Sequence, residues 1–482
     1  MPDSQLCAVV TARTMDGVRA ERDAVRGADL VELRLDFVDR PDVAGSLQGR
    51  QLPVVVTCRA RWEGGEFDGP EEDRQRLLES ALDLGAEFVD VEAAAAFAGG
   101  LIEKTGGRRI VISEHKFEVP PGDVRGRFAA LRRTGAEIAK LAVQVESLEQ
   151  LSTLFDVADE AGPDRDRILI GMGPAGLASR VLSARLGSRW TYAGEAVAPG
   201  QVSTTRLLRD FRFRRIAADA ALYAVVGNPI VHSRSPVMHN AGFAAAGLNA
   251  VYVPLEARDP EDFVTFARRN RLAGASITTP FKVALMRHMD AIEPLARRVG
   301  AINTLVIRDG QWIGDNTDVE GFLAPLAGRM RLEGARATVL GSGGAARAVA
   351  VALLDRGVSV TLSARRARAA QAIVDEIGGN AGAWPPPAAS WDVLVNATTV
   401  GSNANPGDPM AGVPLDGQLV YELVYAPAET ELVQRARRAG CQTIGGIDML
   451  IAQAERQFEL WTGQRPQAGL FRDVSTGEAD NV

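Results

Sequence analysis

The sequence predicts an α/β protein in two parts: a (β/α)8 barrel over residues 1–219, then a module of two further α/β domains. Three observations predict it. Short apolar, β-rich runs alternate with Ala/Leu/Arg-rich stretches through residues 1–215. At Ala221-Leu222-Tyr223-Ala224-Val225-Val226-Gly227-Asn228-Pro229 the chain starts afresh as a strand and a turn. Further on, Gly341-Ser342-Gly343-Gly344-Ala345-Ala346 follows a β-like run and opens an Ala/Val/Leu helix. A length of 482 residues has room for two or three cores.

Composition narrows the class of protein. A net charge of −7 gives no electrostatic case for nucleic acid. No run of ~18 apolar residues indicates a membrane span. The opening Met1-Pro2-Asp3-Ser4-Gln5-Leu6 lacks a basic segment followed by an apolar one, so no secretion signal is read there. Cys7, Cys58 and Cys441 are isolated and without metal spacing, which suits a reducing cytoplasm and predicts no metal site. No partner protein is implied. Lysine is rare: Lys104, Lys116, Lys140 and Lys282 stand against 50 arginines. Only lysine of the two can shed its proton and act as a nucleophile, so each lysine is a candidate for chemistry.

In order, the strand-like runs are 6–11, 30–35, 53–57, 88–91, 110–113, 138–143, 168–171 and 190–194, with helical stretches such as 73–84 and 124–134 between them. Eight such units over this length argue for a closed barrel, with a doubly wound sheet as the alternative that spacing leaves open. Barrel enzymes work at the C-terminal ends of their strands. There the sequence places Glu32-Leu33-Arg34-Leu35-Asp36, then Arg59 with Glu63-Gly64-Gly65, then Ser113-Glu114-His115. Lys140 follows within strand six, Arg180 after strand seven, and Ala198-Pro199-Gly200-Gln201 after strand eight. An ammonium inside an apolar strand is costly without a partner. An amine can attack a ketone to give an iminium, an electron sink for a neighbouring carbanion. It must be neutral to do so, and Arg34, Arg59 and Arg180 together with burial are expected to favour that form. His115, one strand over, is the candidate base for the α-proton. Lys116 points to the other side of its strand and is read as structural.

With these motifs in hand, the first half resembles the type I 3-dehydroquinate dehydratases. The matching stretches also include Ser113-Glu114-His115-Lys116-Phe117, Ala136-Glu137-Ile138-Ala139-Lys140 and Gly171-Met172-Gly173 with Ser179-Arg180, all in order through residues 6–210. The resemblance implies a Schiff base on Lys140 and His115 as acid and base. It implies that Glu32, Arg34, Arg59, Glu63, Arg180 and Gln201 hold the substrate, and that 3-dehydroquinate loses water to give 3-dehydroshikimate. Val197 stands where some members carry a substrate-contacting serine, at a cost of about 0.5–1.5 kcal/mol in one hydrogen bond.

In the second half, Gly341, Gly343 and Ala346 match the turn that sets a dinucleotide pyrophosphate on a helix N-terminus, the mark of a Rossmann-type domain. The next strand ends in Ala364-Arg365-Arg366-Ala367-Arg368, with no acid for a ribose hydroxyl. Arginine there suits a 2′-phosphate and favours NADP over NAD. Ahead of this unit lie His232-Ser233-Arg234-Ser235-Pro236, Thr278-Thr279-Pro280-Phe281-Lys282, Gly300-Ala301-Ile302-Asn303-Thr304 and Gly314-Asp315-Asn316-Thr317-Asp318. Together they read as a polyol-binding surface. Lys282 with Asp318 makes a proton-transfer dyad for reducing a ketone.

Residues 222–470 resemble the shikimate dehydrogenases. That likeness implies Ser233 and Ser235 on the substrate carboxylate, Thr278, Asn303, Asp318 and Gln453 on its hydroxyls, Tyr425 beside it, and Lys282 as the catalytic residue. It implies Gly341, Ser342, Gly343, Gly344, Ala345, Ala364, Arg365, Arg366, Asn396, Thr398 and Gly446 around NADP. The family commonly has Asn-Arg-Thr where this chain has Ala364-Arg365-Arg366, which keeps the phosphate-facing arginine and changes its neighbours. The expected limits are 1–219 for the barrel, 220–328 for the substrate domain, 329–444 for the NADP domain, 445–471 for a helix returning to the substrate domain, and 472–482 for a disordered tail. The function implied is bifunctional: dehydration, then NADPH-dependent reduction of 3-dehydroshikimate to shikimate. Two alternatives are weighed against it. A quinate-directed second module is disfavoured by retention of Ser233, Ser235 and Thr278. A non-catalytic sensor is disfavoured by the presence of His115, Lys140, Lys282 and Asp318.

Overall fold

The computed structural model describes residues 4–119, 122–194, 200–230 and 233–477. Val197 and His232 lie outside the described residues. The chain divides into two compact units, 1–223 with 229–272, and 224–228 with 273–482.

The first eight strands are β1 (Gln5–Val10), β2 (Leu30–Arg34), β3 (Val54–Thr57), β4 (Phe88–Glu92), β5 (Ile110–Lys116), β6 (Ile138–Gln144), β7 (Arg167–Met172) and β8 (Trp190–Ala193). They form one sheet in the order β7-β6-β5-β4-β3-β2-β1-β8, parallel throughout. The ring is nearly closed where β8 returns to β7: Arg189 N–H donates to Arg167 O at 2.8 Å, and Leu169 N–H to Ser188 Oγ at 3.1 Å. Near-closure decides for a barrel over an open sheet. The strands read as unbroken apolar runs because helices cover their outer faces and side chains fill the interior. β5 runs on to Lys116, beyond the apolar run 110–113, so His115 stands on the strand itself.

Helix boundaries follow capping chemistry. Asp123 accepts from Gly126 N–H to start the helix Val124–Arg133, and Ser147 accepts from Gln150 N–H to start Leu148–Ala161. The last barrel helix is shorter than its Arg-dense sequence suggests. It spans Thr204–Arg209, and soon after it Arg212 adopts a left-handed backbone at φ 53°.

The strands that follow are β9 (Ala221–Gly227), β10 (Ala250–Glu256), β11 (Gly274–Ile277), β12 (Ala291–Ile292), β13 (Thr304–Arg308) and β14 (Gln311–Asp315), in the order β10-β9-β11-β13-β14-β12. Residues 229–272 belong to the same compact unit as the barrel, and the joint is built from specific groups. Asp262, buried in the helix Pro260–Arg269, accepts from Leu148 N–H at 3.0 Å and Glu149 N–H at 2.8 Å, two otherwise orphaned donors at the start of a barrel helix. Phe155 meets Phe266 edge-on at 5.9 Å, Arg269 pairs with Asp156, and Arg185 donates to Asn270 O at 2.9 Å.

The second unit contains β15 (Arg336–Leu340), β16 (Ser359–Ser363), β17 (Asn380–Gly382), β18 (Val393–Asn396), β19 (Leu419–Glu422) and β20 (Gln442–Ile444). They make a parallel sheet ordered β17-β16-β15-β18-β19-β20, the doubly wound arrangement whose crevice lies between β15 and β18. Its core is the Ala/Val/Leu face of the helix Gly344–Leu354 packed on the sheet. The long helix Gly446–Thr462 lies against Asp318–Leu326. Gly321 allows this closeness, since a Cβ there would meet Gln453 Cβ at 2.8 Å. The tail expected to be disordered from 472 instead begins in a helix, Leu470–Thr476. Phe471 and Val474 bury themselves there, and Phe471 packs edge-on against Phe458 at 5.9 Å. Residues 478–482 lie outside the described residues. Among the described residues no helix is long and apolar enough to cross a membrane.

Candidate active sites

Side chains alternate along each barrel strand, so one set of positions lines the interior. Its lower layers are apolar, with Cys7, Leu30, Val55, Val111, Ile138, Ile168 and Trp190 packed together. Toward the C-terminal ends the same face turns polar. One cavity there is lined by Val9, Glu32, Arg34, Arg59, His115, Lys140, Ala142, Ile170, Met172, Arg180, Tyr192 and Gln201. Six of the residues singled out from sequence as substrate-binding or catalytic in the first half thus share one chamber with Lys140. Glu63 stands behind them: its Oε1 accepts from His115 N–H at 2.8 Å and meets His115 Nδ1 at 2.9 Å.

The charges around Lys140 differ from the expectation. Arginines were to crowd the amine and favour its neutral form. Instead Lys140 Nζ donates to Asp90 Oδ2 at 2.8 Å, lies 3.7 Å from Glu32 Oε1, and sits 4.3 Å above the Tyr192 ring. Arg59 reaches Asp90 and Ser113 Oγ at 2.7 Å each and Glu92 at 3.1 Å, while Arg34 grips Asp36 at 2.7 and 2.9 Å. Buried cations need paired carboxylates, and the fold supplies them. Asp90, Glu92 and Tyr192 were missed. The signal in the sequence is Asp90-Val91-Glu92, two acids at alternate positions at the end of the strand-like run 88–91.

Burial alone would raise the Asp90 carboxyl, but Arg59 and Lys140 hold it below the usual carboxylate range. Burial, then the Arg59 and Lys140 cations, push His115 well below its ordinary value, so its imidazole is neutral at neutral pH. Burial pushes the Glu63 carboxyl up to about 7 against the pull of Arg59. Arg180, 2% exposed, is lowered to about 10 by burial. The chamber therefore holds an amine, a neutral imidazole and paired polar groups. That set can form an iminium and move a proton beside it. The remaining lysines have surface partners: Lys104 pairs with Glu79 at 3.1 Å and Lys116 with Glu114 at 3.2 Å.

Ser233 and Ser235 lie in the first unit. Ser235 is buried as the first residue of the helix Ser235–Ala245, and its N–H donates to Ser233 Oγ at 3.3 Å. In the second unit, Lys282 Nζ pairs with Asp318 Oδ2, and Asn303 Nδ2 donates to Asp318 Oδ1 at 2.8 Å and to Gln453 Oε1 at 3.3 Å. Asp318 opens the helix Asp318–Leu326, where the helix dipole favours an anion. Thr278 is half-buried, and its N–H donates to Val226 O at 2.9 Å. Gln457, not foreseen, sits one turn beyond Gln453 and donates to Thr304 Oγ1 at 3.0 Å and to Asn303 O at 3.2 Å. Tyr425 is half-buried on the loop after β19.

Lys282 also touches the nucleotide turn, since a Cβ on Gly344 would come within 2.9 Å of the Lys282 side chain. That turn suits a dinucleotide. Gly341 holds φ 123°, a Cβ on Gly343 would meet nothing within 4 Å, and no side chain caps the helix Gly344–Leu354. Its first N–H groups are left for an anion. Ser342 and Ala345 are half-buried beside them. Past β16, Ala364 is buried, while Arg365, Arg366 and Arg368 are exposed with no ion pair among the described residues, a cationic set suited to a phosphate. Asn396 is different. Its side chain is fully buried and holds the loop from behind, accepting from Thr398 N–H at 3.1 Å. Gly446 is buried where a Cβ would meet Leu423 O at 2.4 Å.

A barrel with an amine and an imidazole in one chamber, joined to a proton-donating dyad beside a dinucleotide turn, defines a class: a two-site enzyme pairing amine-based chemistry with a nucleotide-dependent dehydrogenase. A type I 3-dehydroquinase family model matches residues 6–217, the shikimate dehydrogenase substrate binding domain matches 225–305, and the shikimate 5′-dehydrogenase C-terminal domain matches 446–474. The chain is 32% identical to the chloroplastic bifunctional 3-dehydroquinate dehydratase/shikimate dehydrogenase of Arabidopsis thaliana, across 98% of this chain and 84% of that protein. It belongs to the family of bifunctional 3-dehydroquinate dehydratase/shikimate dehydrogenases. Its second half is 40% identical to the NADP(+) shikimate dehydrogenase of Gluconobacter oxydans, over 51% of this chain and 92% of that one. A solved shikimate dehydrogenase from Aquifex aeolicus matches 54% of this chain and 99% of its own at 31% identity, with a TM-score of 0.50.

Proposed function

We propose that the barrel dehydrates 3-dehydroquinate to 3-dehydroshikimate, and that the second module reduces 3-dehydroshikimate to shikimate with NADPH. The modules take the limits 1–219 and 220–471, and the protein works in the cytoplasm, where its three buried cysteines stay reduced. The observation that carries the reading is the meeting of Lys140 and His115 in one chamber, in the same chain as the Lys282–Asp318 pair beside Gly344.

In the barrel, Lys140 Nζ gives up a proton and attacks the ketone carbon. Water leaves and an iminium forms. Neutral His115 takes the α-proton, the electron pair moves into the iminium, and His115 returns the proton to the departing hydroxyl, which leaves as water. Water then hydrolyses the iminium and frees Lys140. Glu63 holds the His115 ring and backbone, and Glu32, Arg34, Arg59, Arg180 and Gln201 orient the substrate. By likeness to the shikimate dehydrogenases, Ser233 and Ser235 take the role of carboxylate-binding residues, and in the second unit Thr278, Asn303 and Gln453 that of hydroxyl-binding residues, with Tyr425 beside the substrate. NADPH, when bound, supplies the hydride. Lys282, held by Asp318, gives the proton to the carbonyl oxygen. Gly341 to Ala345 and the first turn of the following helix hold the pyrophosphate, and Arg365 and Arg366 hold the 2′-phosphate.

Mixing the pure protein with 3-dehydroquinate and NADPH tests both halves at once. NADPH should be consumed, and no consumption sinks the two-step reading. A second outcome concerns pH. Glu63 is protonated below about 7 and then no longer accepts from both the backbone and the ring of His115. Dehydration should lose kcat/KM as pH falls through about 7, an apparent value belonging to the pair. Glu63→Gln should flatten that limb, and a limb unchanged in the variant contradicts the assignment.

A further inference from the structure

Glu422 ends β19 and is 1% exposed. Its carboxylate takes three separate donors: Asn396 Nδ2 at 2.9 and 3.1 Å, Val424 N–H at 2.9 Å, and the Thr430 hydroxyl at 3.0 Å. Asn396 passes the hold along. It donates to Val400 O at 2.9 Å and accepts from the Thr398 hydroxyl at 2.7 Å, which in turn accepts from Val400 N–H at 3.1 Å. Leu423 N–H donates back to Asn396 O at 3.1 Å. One carboxylate therefore fixes the loops that follow β18 and β19.

The loop after β18 borders the nucleotide turn, and the loop after β19 meets Gly446. Ala397 N–H donates to Leu340 O at 2.9 Å, and a Cβ on Gly341 would come within 3.0 Å of Ala397 O. On the other side, Gly446 abuts the Leu423 carbonyl. All three donors offer hydrogen to Glu422, so its surroundings suit the ionised form, which only accepts. No cation pairs with it among the described residues. β18 and β20 contribute no charged side chain. The nearby charge is Asp408 on the 402–410 loop, itself paired with Arg435, and the Glu431, Arg437 and Arg438 side chains of the neighbouring helix are exposed. Burial pushes the carboxyl up to about 7 while its three donors pull it down.

We propose that Glu422 is a positioning residue of the dehydrogenase: its ionised carboxylate holds the 396–400 and 422–424 loops in the shape that receives the dinucleotide, and protonating it loosens cofactor binding. This rests on the reading of the second module given above. A protonated carboxyl cannot accept all three donors, and a buried donor left without an acceptor is costly.

The test uses the full chain. KM for NADPH and kcat with 3-dehydroshikimate are measured across pH, together with Kd for NADPH by fluorescence titration without substrate. In the wild type, KM and Kd should rise about tenfold as pH falls through about 7, while kcat at saturating NADPH changes less than about twofold. The 2′-phosphate titrates near 6 as well, so the contribution of Glu422 is the difference between wild type and Glu422→Gln at each pH. Glu422→Gln should bind NADPH weakly throughout and lack the step, and Glu422→Asp, which keeps the charge, should regain it. Wild-type Kd and pH dependence in Glu422→Gln overturn the inference. So does a loss confined to kcat or to melting temperature. If Glu422→Gln fails to fold, Kd is read with NADH, which has no 2′-phosphate to titrate: a step through about 7 in the wild type and in Glu422→Asp supports the inference, and a flat wild-type Kd overturns it. A wild type that binds NADPH with the step yet does not consume 3-dehydroshikimate supports Glu422 and sinks the substrate assignment instead.

Discussion

Lys140→Arg should lower dehydration of 3-dehydroquinate roughly 10⁴-fold or more and leave shikimate oxidation by NADP at its normal rate. Arginine preserves the positive charge beside Asp90 and Glu32, so the buried carboxylates keep a partner and the barrel keeps its fold. What arginine cannot do is shed a proton and attack a carbonyl. Borohydride added with 3-dehydroquinate should leave a mass adduct on Lys140 in the wild type and none in the variant. Loss of both activities in Lys140→Arg, or an adduct on another residue, would overturn the assignment of the two modules.

The second large effect is expected at the dehydrogenase dyad. Lys282→Met should cut kcat for 3-dehydroshikimate reduction by about 10²–10⁴-fold, the usual share of a positioned proton donor. KM for NADPH should move little, because the turn residues Gly341 to Ala345 are untouched. Asp318→Asn should give a smaller loss, since Asn303 still holds the side chain through its Oδ1 while the charged partner of Lys282 is gone. Dehydration of 3-dehydroquinate serves as the internal control and should be unchanged in both variants. A Lys282→Met enzyme with normal kcat and a raised KM would make Lys282 a binding residue rather than a proton donor.

The sequence made the barrel legible where its strands are buried on both faces, because such strands read as plain apolar runs. It was least legible at their C-terminal ends. There polar residues point inward, and β4 and β5 look like loops: the strand continues through Glu92 and Lys116, past the expected ends. Asp90 lies inside the expected run 88–91 and was hidden because nothing local shows that it meets Lys140, 50 residues further on. The glycine turn and the arginines after β16 were legible because their backbone and charge requirements are local. Glu422 was not legible, since nothing local shows that Asn396 and Thr430 converge on it. The helix Leu470–Thr476 escaped because its polar letters outnumber Phe471 and Val474, which bury it.

Asp262 was illegible for a related reason: it reads as an acid in the first turn of its own helix, where acids are common. Its carboxylate also completes the first turn of a barrel helix 114 residues earlier in the chain. A seam of this kind makes the barrel and residues 229–272 answerable to one another. A substitution at Asp262 is felt by the barrel helix whose N–H groups it accepts from, and a change at Phe266 is felt at Phe155. A barrel cut free near 219 would leave those N–H groups to solvent, at a loss of about 1–2 kcal/mol if the cap is worth what helix caps usually are. Here residues 229–272 are joined to the barrel by side chains as well as by the chain itself.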